Sequence, residues 1–129
     1  MKIAILGSGG REHAIAYAIS KSKKIEKIFC LPGNAGTDII AKNIIIDINN
    51  FEQVYNFLKK EKIDFVVVGP EQPLVDGIVD YLQKFNIKVF GPNKMSSQLE
   101  GSKIFTKNLC KKYNIPTADF GTFKTKEDT

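Results

Sequence analysis

The chain has 129 residues, 43% of them hydrophobic, which is enough for one core and a squeeze for two full domains. Its net charge of +5 comes from lysines spread along the chain, densest at Lys21, Lys23 and Lys24 and with no basic run interleaved with aromatic residues, so no nucleic-acid partner is expected. No run of about 18 apolar residues exists, no cleavable leader pattern follows Met1, and Cys30 and Cys110 read as free thiols, so no membrane span and a cytoplasmic setting are expected.

In chain order, residues 2–6 predict a buried strand and residues 11–20 a helix, with Ala14, Ile15, Ala18 and Ile19 on its inner face. Residues 27–31 predict a second strand. Residues 32–37 form a Pro/Gly/Asn loop, with Thr37 or Asp38 capping a short helix. Residues 44–48 predict a third strand. Residues 51–60 predict a helix capped by Asn49 or Asn50. Residues 64–68 are continuous and β-branched, as central parallel strands are. Residues 69–74 read as a loop, 75–85 as a helix, 88–90 as a fifth strand, 94–99 as a short helix and 101–113 as an amphipathic helix. Residues 116–123 look like the start of another strand, ahead of a charged tail. Five strand–helix alternations predict an α/β fold: an open parallel five-strand sheet flanked by helices, with right-handed crossovers.

The stretch Gly7-Ser-Gly-Gly-Arg-Glu-His lies between the first strand and the first helix. Glycines there let an anion approach bare backbone N–H groups at a helix N-terminus, where the dipole favours negative charge. The pattern departs from the dinucleotide fingerprint G-x-G-x-x-G/A, because Glu12 stands where a small residue belongs. The second strand also ends at Leu31-Pro32-Gly33 without the acidic residue that would bind a ribose. A phosphorylated ligand other than a classical dinucleotide is expected.

Four loops leave the C-terminal ends of predicted strands, where the ligand crevice of a parallel sheet lies. Three of them carry polar groups that a tight turn does not need: Arg11 and Glu12, Asn34 and Thr37, and Glu71. Arg11 is the single arginine and His13 the single histidine. A guanidinium matches phosphate oxygens in a two-pronged fork. Carboxylates at Glu12 and Glu71 suit sugar hydroxyls or an amine. No Ser-His-Asp set, no Cys/His metal spacing and no Walker lysine motif is present, so neither catalytic nor metal-ligating residues are assigned.

Taken together, residues 7–14, Pro32-Gly-Asn-Ala-Gly-Thr37, Val68-Gly-Pro-Glu-Gln-Pro-Leu-Val75, and Gly91-Pro92 followed by Gln98-Leu-Glu-Gly-Ser-Lys103 resemble the N-terminal part of the phosphoribosylamine–glycine ligase family of ATP-grasp enzymes. The resemblance implies ATP-dependent ligation of glycine to 5-phosphoribosylamine through a glycyl phosphate, in purine biosynthesis. It implies a Rossmann-like substrate-binding domain over residues 1–100 and the start of a truncated ATP-grasp domain over 101–129. Gly9, Gly10, Arg11 and Glu12 match the family's first loop, Asn34 and Thr37 its second, and Glu71, Pro73 and Leu74 its third; all are expected to bind substrate. Lys103 matches a lysine expected to reach ATP phosphate. ATP and Mg (or Mn) are implied for the full-length enzyme, none is expected in this chain alone, and a monomer is expected. The chain alone is expected to be inactive. The alternative reading is a stand-alone phosphosugar- or nucleotide-binding module without catalysis.

Overall fold

A computed structural model describes residues 1–121. Five strands, β1 (Lys2–Gly7), β2 (Lys27–Pro32), β3 (Lys42–Asn43), β4 (Phe65–Val68) and β5 (Val89–Phe90), form one sheet in the order β3-β2-β1-β4-β5. Every pairing is parallel. The α/β expectation therefore holds, with β1 at the centre and β4 inside the sheet.

Side chains alternate across each strand, as period-two geometry requires. Ala4, Leu6, Phe29, Leu31, Val66 and Val68 face one layer, where helix α2 (Phe51–Glu61) contributes Val54 and Leu58. Leu74 of α3 (Glu71–Asp76) and Ile78, Val79 and Leu82 of α4 (Ile78–Gln83) complete that layer. Ile3, Ile5, Ile28, Cys30 and Val67 face the opposite layer, covered by α1 (Gly10–Ser20) and by Ile40 and Ala41, which follow a 3₁₀ turn at Thr37–Ile39. Helices α5 (Lys94–Gly101) and α6 (Lys103–Lys112) follow β5, capped by the side chains of Asn93 and Ser102.

Five sequence expectations change. The third strand is Lys42–Asn43, and the isoleucine run after it leaves the ladder: Ile45 is exposed while Ile44, Ile46 and Ile48 pack against the α2 layer. Residues 71–74 are helical rather than loop, because Pro73 lies in a first turn, where its missing N–H is no loss. The helix expected over 75–85 breaks at Gly77, whose φ of +100° closes α3 by donating its N–H to Pro73 and Leu74 carbonyls. On α1 the inward residues are Glu12 and Ala16 with Ile15 and Ile19, so Ala14 and Ala18 are exposed. Residues 116–121 form no strand, and the rest of the expected strand, up to 123, lies outside the described residues. Both cysteines are free, as expected.

Burial sets the stability consequence. Leu58 is 2% exposed and Ile39 is 84% exposed. Leu58→Ala is expected to cost about 2–5 kcal/mol in a urea melt, while Ile39→Ala shifts stability by no more than about 0.5 kcal/mol.

Candidate functional site

The chain runs outward from β1 to β2 and β3, then returns to place β4 on the other side of β1. In a parallel sheet the ligand crevice lies at such a switch point, and there the loops after β1, β2 and β4 meet.

The first loop turns at Gly7, whose φ of +124° belongs to glycine. Gly9 caps α1, and its N–H donates to Glu12 Oε2 at 2.6 Å. This is half of a capping box, with the carboxylate in the first turn where the helix dipole favours it. Glu12 is 5% exposed. A Cβ at Gly7 would approach Glu12 Cδ to 2.7 Å, one at Gly9 would approach Oε2 to 2.9 Å, and one at Gly69 would overlap Oε1. Three glycines from two loops thus make room for one carboxylate. A Cβ at Gly10 would meet nothing within 4 Å. The amides of Gly10, Arg11 and Glu12 open the helix and have no partner within it. Gly10 therefore leaves a clear approach to the helix N-terminus.

Arg11 joins the first loop to the third. Its Nη1 donates to the Gly69 carbonyl at 2.7 Å, and its Nη2 pairs with Glu71 Oε1 at 3.1 Å. Glu71's own backbone N–H, then the Arg11 hydrogen bond and charge, hold the Glu71 carboxyl below its ordinary value. The two side chains are 59% and 48% exposed, so solvent screens the pair. A guanidinium has five N–H donors, so three remain for a ligand.

The second loop is a closed polar web. Asn34 Oδ1 accepts from the N–H groups of Gly36 and Thr37 at 2.8 and 3.0 Å. Asn34 Nδ2 donates back to the carbonyls of Ser8 and Gly9 at 2.8 and 3.2 Å, fastening the second loop to the first. Thr37 is fully buried; its hydroxyl accepts from Asn34 N–H at 2.8 Å and faces Asn34 O and Asn43 Oδ1 at 2.9 and 2.7 Å. Burial pushes the nearby Cys30 thiol up, against a lowering hydrogen bond with Thr37. His13 lies alongside: a Cβ at Gly36 would come within 2.8 Å of its ring.

The structure thus gathers Gly9, Gly10, Arg11, Glu12, Asn34, Thr37 and Glu71 around one crevice. Asn34 and Thr37 spend their polar atoms inside the protein and shape the loop rather than point out of it. Pro73 and Leu74 are buried in α3, below the crevice. Lys103 opens α6, exposed, beside Leu99, Glu100, Thr106 and Lys107, and is not among the crevice residues. Sequence reasoning missed Asn43, whose signal was only a polar residue, after Lys42, ahead of an isoleucine run. Among the described residues, no three His, Cys, Asp or Glu side chains stand close enough to share a metal ion, and no helix is long and apolar enough to cross a membrane.

Comparison with known proteins decides the family: the profile of the phosphoribosylglycinamide synthetase N domain matches residues 1–100. The chain belongs to this family. It is 46% identical over 129 residues to a phosphoribosylamine–glycine ligase of Clostridium acetobutylicum, covering all of this chain and 31% of that protein. It is 52% identical over 123 residues to one of Mesorhizobium japonicum, covering 95% and 29%. The chain therefore spans about three-tenths of the length of these relatives. A crystal structure of the Thermotoga maritima phosphoribosylamine–glycine ligase superposes with a TM-score of 0.66 at 33% identity, over 92% of this chain and 26% of that one. An N5-carboxyaminoimidazole ribonucleotide synthetase from the same organism shares the fold with a TM-score of 0.71 at 19% identity, over 98% and 34%.

The Arg11–Glu71 contact generates a titration with a definite sign. The Glu71 carboxyl of the N-domain chain should titrate below the ordinary glutamate value in side-chain NMR, and Arg11→Ala should move it upward. Because the folded value is the lower one, the stability this pair adds is present above the ordinary glutamate pKa. It is lost as pH falls through Glu71's own value.

Proposed function

We propose that this chain is the substrate-binding N-terminal domain of a phosphoribosylamine–glycine ligase. The full enzyme joins glycine to 5-phosphoribosylamine with ATP, through a glycyl phosphate, in purine biosynthesis, and works in the cytoplasm as a monomer. The observation that carries this reading is the convergence of three loops, with open helix amides and an arginine, at the switch point of a sheet in a chain of this family.

The phosphate of 5-phosphoribosylamine docks on the amides of Gly10, Arg11 and Glu12 and takes the free donors of Arg11. Glu71, held ionised by its own N–H and by Arg11, accepts from a ribose hydroxyl or the amine. Asn34, Thr37, Pro73 and Leu74 act through the backbone they hold. Residues 1–100 form this domain and residues 101–129 begin an ATP-grasp domain, in which Lys103 meets ATP phosphate. The described residues offer no carboxylate set for Mg or Mn, so no step here runs through the metal. ATP supplies the activation of the glycine carboxyl. What this chain contributes is position: it fixes the amine donor by its phosphate and sugar, which lowers the entropic cost of bringing amine and acyl phosphate together.

In the complete ligase carrying this chain, Arg11→Ala is expected to raise KM for 5-phosphoribosylamine roughly 30- to 150-fold, the loss of one charge-assisted forked contact. KM for ATP should be unchanged, and Lys23→Ala should behave as wild type. An Arg11→Ala enzyme that folds and keeps its KM would refute the site. The 129-residue chain alone is expected to form no glycinamide ribonucleotide from ATP, glycine and phosphoribosylamine; ATP-dependent product above background would refute that.

A further inference from the structure

We infer that Asn43 is a positioning residue of the phosphoribosyl site, acting through Asn34 and Thr37. The inference rests on the site proposed above and adds a residue outside the loops from which that site was read.

Asn43 occupies β3, paired in register with Cys30 of β2. That register places it beside the second loop, where its amide makes one bond to a backbone carbonyl and one to a side-chain hydroxyl of that loop. Nδ2 donates to the Asn34 carbonyl at 2.7 Å, and Oδ1 accepts from the Thr37 hydroxyl at 2.7 Å. A Cβ at Gly33 would overlap the same amide, so the glycine, with its φ of +76°, also makes room for it. Asn34 then reaches over the first loop to the carbonyls of Ser8 and Gly9, which precede the open helix N-terminus. A chain of hydrogen bonds therefore runs from the edge strand to the carbonyls just ahead of the helix amides to which the phosphate site is assigned. Each link is a side-chain amide or hydroxyl bonded at both ends, and every buried side-chain polar atom among the described residues has a partner.

A network of this kind fixes geometry because each bonded side chain ties together backbone segments that are otherwise free to shift. Without Asn43, the Asn34 carbonyl keeps the Asp38 N–H and the Thr37 hydroxyl can turn to that carbonyl, but both bonds that tie β3 to the second loop are gone. The second loop is then free to relax away from Ser8 and Gly9. The site's charged contacts, Arg11 and Glu71, stand on the other side of the first loop and are untouched. The expected defect is in holding the phosphoribosyl substrate, not in handling ATP or glycine.

The test is steady-state kinetics of the complete ligase carrying this chain, varying each substrate in turn, with thermal melting as the fold check. Asn43→Ala should raise KM for 5-phosphoribosylamine about tenfold, the loss of the hydrogen-bonded link from β3 to the second loop, and leave kcat and the KM values for ATP and glycine unchanged. Asn43→Asp is isosteric: it keeps the acceptor for Thr37 and loses the donor to Asn34. It should shift the same KM in the same direction, and it decides the matter if the alanine variant fails to fold. If both folded variants keep the wild-type KM while Arg11→Ala raises it, the inference about Asn43 is wrong and the site stands. If Arg11→Ala keeps it as well, both fall. An equal loss for all three substrates would mark Asn43 as a general folding residue and overturn the inference too.

Discussion

One buried carboxylate organises this crevice. Glu12 projects from the first turn of α1 into the space left by Gly7, Gly9 and Gly69. Burying such a group is unfavourable unless it is bonded. The Gly9 N–H and the N-terminal end of α1 meet that need. The strand ends beneath it are tied by Gly69 N–H to Leu6 O and Gly33 N–H to Gly7 O, and the carboxylate lies between Gly7 at the end of β1 and Gly69 just after β4. In a dinucleotide fold, a small residue at this helix position lets helix and sheet approach. Here the volume is filled by Glu12 and returned by glycine at 69.

From that constraint the rest of the crevice follows. With helix and third loop held at fixed spacing, Arg11 can reach both the Gly69 carbonyl and Glu71. With the first loop pinned, its carbonyls at Ser8 and Gly9 are in place for Asn34. The result is a rigid rim whose outward-facing groups are amides, guanidinium donors and one ionised carboxylate. Such a set suits a ligand bearing a phosphate at one end and hydroxyls or an amine at the other.

Much of this was legible in the sequence. The apolar runs at Ile3–Leu6, Ile28–Leu31 and Phe65–Val68 gave the central strands, and Gly and Pro after each gave the loops. Glu12 was visible as an oddity in the glycine loop, but its burial was not, because the glycine that accommodates it is distant in sequence. The isoleucines at 44, 45, 46 and 48 carry strand propensity, yet packing of Ile44, Ile46 and Ile48 against the α2 layer outweighs it and the strand ends at Asn43, five residues before the expected end. Gly77 lies inside a helical pattern, and only the left-handed backbone shows it to be a break. Ala14 and Ala18 have apolar periodicity, but Glu12 takes the inward direction and turns them to solvent. Asn43 was missed for the same reason as Glu12: its partners, Asn34 and Thr37, are neighbours only in the folded chain.

Glu12 and the glycine at 69 share one volume. A double-mutant cycle in the N-domain chain, read by urea denaturation, tests it directly. Gly69→Ala should cost about 1–3 kcal/mol when residue 12 is glutamate, as overpacking does, and less than about 0.5 kcal/mol when residue 12 is alanine. If the two substitutions add within about 0.5 kcal/mol, the carboxylate and the glycine are independent, and Glu12 is not what holds the crevice together.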